Sequence, residues 1–220
     1  MTFPIVASSA TTLAADPAFG GNATLNLPSG IASGDLLVMF KEHYNGLTGI
    51  PVLVPSGWTS IQLNHFGDSQ QATLIAHKVA AGTEGSSIAW PSSSGGAIAT
   101  ICLRVTGAAL LEAATASPGS TASPDAPNLS PSWAVSDTLW LACLGWRGNG
   151  DELTGDPTSY GSAINVSGGF DSVSARILTR NLNATSNDPS AWSFSTARFA
   201  SAATVAIAAA PPVPGVWAVR

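Results

Sequence analysis

Acidic residues are the first to weigh, because two carboxylates suffice for sugar cleavage and a set of oxygens can hold a divalent cation. The densest group is Asp151, Glu152 and Asp156, within the run Arg147-Gly148-Asn149-Gly150-Asp151-Glu152-Leu153-Thr154-Gly155-Asp156. It lacks the ordered spacing of an EF-hand and reads as a solvated loop. Asp35 and Asp137 each precede an expected strand and read as turn-forming side chains that hydrogen-bond their own backbone. The three histidines, His43, His65 and His77, fall on different expected strands. No Cys/His pair has the two-to-five-residue spacing that zinc sites use. There is no Gly-x-Ser-x-Gly elbow, phosphate-cradling loop or dinucleotide fingerprint. No catalytic, metal or cofactor-binding residue is assigned, and the chain is read as a non-enzyme. A glycan hydrolase, which would need two carboxylates facing a cleft, is the weakest alternative.

Seven tryptophans are the other chemically loaded residues. Trp58, Trp90 and Trp192 occupy repeat positions described below and read as core or sheet-edge packing. Trp133, Trp140 and Trp146 cluster around one expected strand. Exposed aromatic rings stack on sugars and anchor protein interfaces. Core packing is the main reading, and Trp140 and Trp146 are the glycan-contact candidates. Trp217 lies in the Pro-rich tail of residues 211–220. There Pro212, Val213, Pro214, Val216 and Trp217 are the interface candidates, expected to dock onto a neighbour as an added strand. Cys102 and Cys143 are too few for a disulfide framework; they read as buried thiols, with pairing left open.

The elements that position these residues follow from composition and period. Of 220 residues, 22 are Gly and 15 Pro, and only 10% are charged, against roughly a quarter in ordinary globular chains. A net charge of −5 gives no basic surface for nucleic acid. A 45% apolar content excludes a disordered chain, and no apolar run is long enough to cross a membrane. The apolar period is two almost throughout, with turn residues about every ten positions, which predicts an all-β antiparallel sandwich, jelly-roll-like. One short helix is expected over Ala108–Ala114.

Adding 102 to first-half positions lands repeatedly on matching residues: Leu27 on Leu129, Asp35 on Asp137, Leu37 on Leu139, Pro55 on Pro157, Ile75 on Ile177 and Trp90 on Trp192. This internal pseudo-duplication, needing no gap, divides residues 1–210 into related halves of about 1–107 and 108–210. One sandwich built from both is favoured over two in tandem. Ser117–Pro131 reads as a linker that holds at most a short strand. Ala99, Ile101, Leu103 and Val105, with Ala203, Val205 and Ile207, are expected to face the core. Leu36, Val38 and Phe40 share a face opposite Lys41 and His43.

Three stretches carry a family resemblance: Ile31-Ala32-Ser33-Gly34-Asp35-Leu36-Leu37-Val38, Pro55-Ser56-Gly57-Trp58-Thr59, and His77-Lys78-Val79-Ala80-Ala81-Gly82-Thr83-Glu84-Gly85. The match covers most of residues 20–106, and Ser136–Leu141 repeats the pattern more weakly. This part of the chain resembles a β-sandwich module of virion structural proteins of tailed bacteriophages. The resemblance implies a structural protein on the particle surface, either capsid-decorating or tail-associated, and no catalytic residue. The expected partners are copies of itself, as a trimer, and other virion proteins, with no nucleic acid, membrane or cofactor. The alternative is a carbohydrate-binding module recognising a host surface glycan. The N-terminal sequence has no basic, apolar leader, so the expected localisation is the virion, after synthesis in the host cytoplasm.

Overall fold

Strand after strand in this chain alternates small or branched apolar residues, and the computed structural model pairs them into two large antiparallel sheets. It describes residues 2–16, 22–44, 53–65, 71–91, 96–116, 119–148, 152–168 and 173–211. The first sheet is built from β1 (Ile5–Asp16), β3 (Leu36–Tyr44), β4 (Thr59–His65), β5 (Gln71–Val79) and β7 (Gly96–Thr106), in the order β1-β7-β3-β5-β4. The second contains β8 (Ala108–Thr115), β10 (Asp137–Arg147), β12 (Gly161–Ser167), β13 (Val173–Asn183) and β15 (Arg198–Ala209), in the order β12-β13-β10-β15-β8. A short β9 (Gly119–Thr121) also pairs with β15. Two small ribbons lie outside these sheets: β2 (Asn22–Asn26) with β6 (Ser87–Pro91), and β11 (Leu153–Gly155) with β14 (Ser193–Phe194).

The sheets pack face to face. Their shared core takes Leu36, Val38, Phe40, Ile101 and Leu103 from one sheet and Leu139, Leu141, Ile177, Val205 and Ile207 from the other. Both outer faces are covered too. The β2–β6 ribbon closes Leu37, Met39, Leu74 and Cys102 beneath Leu25 and Trp90. On the second sheet, Trp192 and Phe194 close over Ala142, Leu144, Trp146 and Leu178. The middle strands are therefore buried on both faces, as their near-continuous apolar runs require. Part of the missing charge is thus explained within the single chain.

The two sheets repeat one topology, with β1, β3, β4, β5 and β7 matched in order by β8, β10, β12, β13 and β15. Even a register shift recurs, between Ser60 and Gln62 on β4 and between Gly161 and Ile164 on β12. The gapless offset needs correction in one strand. Leu36 pairs with Val105, and Leu139 pairs with Ile207. Val105 and Ile207 are 102 apart, whereas Leu36 and Leu139 are 103 apart. A one-residue slip reverses every side chain of a strand. The counterpart of Leu139 is therefore the core-facing Leu36 and not Leu37, which lies in the outer core. Asp35 and Asp137 are likewise not equivalent.

Three other expectations change. Ala108–Ala114 is strand β8 and not a helix. Two turns are too short to hold a helix alone, while pairing of Leu111 and Ala113 with Ile207 and Val205 satisfies the backbone. Ser117–Pro131 is more than a linker, because β9 lies in it, Ala126 is fully buried, and Leu129 bridges to Asn187. The jelly-roll likeness holds only at the level of two packed antiparallel sheets: each main sheet is drawn from one half of the chain, without exchange of strands.

Candidate functional site

The described members of the acidic group are engaged within the fold. Glu152 forms a two-pronged ion pair with Arg198, and Asp156 one with Arg176, at 2.9 and 2.5 Å. Asp151 lies outside the described residues. Asp35 accepts the Ala32 N–H at 2.7 Å and the Arg104 guanidinium at 2.6 Å. This is the turn role expected of it, with an ion pair added. Asp137 instead accepts the Asn183 side-chain amide at 3.0 Å. Asp125 and Asp188 form an exposed pair on the cover of sheet two; burial and then the neighbouring Asp188 charge push the Asp125 carboxyl up.

Trp140 and Trp146 are fully buried, which corrects their candidacy as glycan contacts, since no sugar ring reaches them. Trp140 donates its indole N–H to the Leu182 carbonyl at 3.1 Å. Trp146 packs on Phe194, ring centroids 5.7 Å apart. Trp58 and Trp90 meet edge to face at 5.5 Å. The alternation that faces Leu139 and Leu141 to the central core sends these indoles to the outer one, where the cover excludes water. His43 is buried and His77 half-buried, with burial lowering the His77 imidazole pKa; the His65 side chain lies outside the described residues, as do Pro212, Val213, Pro214, Val216 and Trp217.

Cys102 and Cys143 are both buried free thiols. Cys102 belongs to the outer core of the first sheet and Cys143 to the central core, so a sheet separates them. Burial pushes the Cys102 thiol up to about 12 and Cys143 higher still.

Sequence reading passed over Glu42. It follows Leu36, Val38 and Phe40 on the core-facing side of β3 and is fully buried. It accepts hydrogen bonds from the Gln71 amide and, at 2.5 Å, from the Thr73 hydroxyl. Across the sandwich it presses on Gly145 of β10, where any Cβ would overlap its carboxyl. One step along, the Arg147 guanidinium stacks 4.1 Å over the Tyr44 ring. Burial raises the Glu42 carboxyl to about 8, outweighing the opposing hydrogen bonds from Thr73 and Gln71. The signal available in the sequence was a lone Glu continuing an apolar alternation.

Two surface features stand out. The edge strands β1, β4, β8 and β12 contain no Lys, Arg or Pro. They expose Ile5 and Leu13 on β1 and Leu110 on β8. The one charge on β8, Glu112, is hydrogen-bonded by Ser132. The second feature is a groove of about 410 Å³ lined by Leu153, Thr154, Asp156, Asn165, Ser167 and Arg176. β11 forms one wall, and the β12–β13 pairing that sets Asn165 opposite Arg176 forms the other.

Comparison of the chain with protein-family models, with curated proteins and with solved structures finds no match in any of the three.

Proposed function

We propose that this chain is a non-enzymatic structural subunit of the outer surface of a tailed-bacteriophage particle, decorating and cementing the capsid or attached to the tail. It assembles with copies of itself, as a trimer, and with other virion proteins. The observation that carries this reading is the chemistry of the edge strands. Unpaired strand edges template pairing with other chains, and soluble monomers blunt them with Lys, Pro or inward charge. All four edges here lack Lys, Arg and Pro, and β1 and β8, the first hydrogen-bonded by Asn26 at Thr11 and Thr12, expose large aliphatic side chains. Edges of this kind suit a subunit covered by its neighbours. The resemblance of residues 20–106 to phage virion modules supports the same reading.

Sedimentation of the purified chain, together with its incorporation into purified particles, tests the proposal. The wild type should self-associate and bind particles. Leu13→Lys with Leu110→Lys should weaken association at least about tenfold, in line with loss of an interface anchor, and leave the unfolding midpoint near its original value. Removal of residues 211–220 should weaken particle attachment. A wild type that stays monomeric at every concentration and never joins particles would overturn the reading.

A further inference from the structure

The duplication supplies an internal control for the groove beside β11. Positions that the fold itself requires should keep their character in both halves, as Trp90 and Trp192 do, both fully buried. The groove residues do not keep it. Arg176 corresponds to Leu74, Asn165 to Leu63 and Asp156 to Val54, all apolar in the first half. Leu74 is buried in the outer core there, with Val54 packed against it. Where Leu74 and Val54 are packed in the first half, the second half has an open groove lined with hydrogen-bonding groups.

We propose that this groove binds a neutral oligosaccharide segment. Its volume of about 410 Å³ falls within the roughly 300–1,000 Å³ of small-ligand sites. The polar lining suits hydroxyl groups rather than an apolar ligand. Asp156 and Arg176 hold each other in a bidentate pair, so neither rotamer has to be ordered when a ligand arrives. The pair also leaves valences unused. A guanidinium has five donors and a carboxylate about four acceptor sites, so vicinal hydroxyls, which donate and accept, can bridge the two. Thr154 donates its hydroxyl to the Ser193 carbonyl and keeps its oxygen as an acceptor. Asn165 and Ser167 add an amide and a hydroxyl from the facing strand, and Leu153 offers an apolar wall for the C–H face of a sugar ring.

Charge selects a neutral ligand. An anion would meet the Asp156 carboxylate on a chain of net charge −5. A cation would have to displace Arg176 from that carboxylate. The site lies on the outer face of the second sheet and includes Asn165 and Ser167 of the edge strand β12, whereas the aliphatic side chains on which the edge variants act are Leu13 of β1 and Leu110 of β8.

The test is a panel of neutral and anionic oligosaccharides, by array and then saturation-transfer NMR, with the whole chain. Wild type should retain neutral members. Asn165→Ala should weaken binding about tenfold, the scale of one well-placed hydrogen bond. The double variant Asp156→Val, Arg176→Leu installs the residue types of the first half and should abolish binding; should it not fold, Asn165→Ala alone carries the comparison. Absence of binding by wild type, binding of anionic members only, or undiminished binding by a folded variant would each overturn the proposal. Loss of self-association in the edge variants would leave it untouched.

Discussion

Replacing Glu42 by glutamine should stabilise the protein by on the order of 3–5 kcal/mol at pH 8 and change its stability little at pH 4. The folded carboxyl titrates near 8 against an ordinary 4.5. Below about pH 4.5 both folded and unfolded chains carry the proton, and Glu42 costs nothing through ionisation. Between about 4.5 and 8 the unfolded chain releases its proton while the folded chain keeps it, so stability falls as pH rises. Above about 8 both are ionised and the loss is complete. His77 works in the opposite direction. Its lowered pKa means that the unfolded chain gains a proton first as pH drops, so its contribution is lost on acidification. Chemical denaturation of wild type and Glu42→Gln from pH 4 to pH 9 separates the two, because only the Glu42 contribution differs between the proteins. Glutamine keeps the shape, can donate to Thr73 Oγ1 and can accept from Gln71, so the hydrogen bonds in the core survive. Parallel curves for the two proteins would mean that water or a counter-charge reaches Glu42.

Gly145→Ala should destabilise the protein by about 2–3 kcal/mol. An added Cβ there overlaps the Glu42 carboxyl. A flexible carboxyl tip usually moves aside at little cost, but this one is fully buried and held by Gln71 and Thr73. Moving it would break those bonds in a place where unsatisfied polar groups are expensive. The same substitution made in a Glu42→Ala background should cost less than about 1 kcal/mol, because the space is then empty. The difference between the two costs is a coupling energy readable from a double-mutant cycle. Equal costs in both backgrounds would show that the methyl group clashes with something other than Glu42.

The strands legible in the sequence were those rich in apolar residues and bounded by turn residues, such as β3, β5, β7, β10 and β13. Strand β1 was not, because Ile5–Asp16 is a run of Ala, Ser and Thr with little apolar contrast. Its state is set by pairing with β7, a contact over about a hundred residues of chain. Strand β8 read as a helix for a related reason. Its Ala and Leu favour helices weakly, and tertiary pairing overrides propensity. The alignment of β10 with β3 was one residue out because sequence identity matched Asp35 with Asp137, while the cores match Leu36 with Leu139. The tryptophans were legible as packing residues; their accessibility to a ligand was not, since exposure depends on covers formed by distant segments. The groove draws on residues 153–156, 165, 167 and 176, neighbours only once β11 lies beside β12 and β13. A trace of it was nonetheless present, in the three positions where the halves differ as Val54/Asp156, Leu63/Asn165 and Leu74/Arg176.

The contact between Glu42 and Gly145 joins equivalent positions of the two sheets. In the register that matches Leu36 with Leu139, the counterpart of Glu42 is Gly145, and the counterpart of Tyr44 is Arg147. Each of these residues therefore meets its own equivalent across the central core. Two identical separate chains related by a twofold axis would be forced to place the same residue on both sides of such a contact. Two glutamates would set carboxyl against carboxyl, and two glycines would leave a void. Two arginines would repel. Within one polypeptide that constraint does not apply, and the equivalent positions are unlike: a large group over a small one, and a cation over a ring.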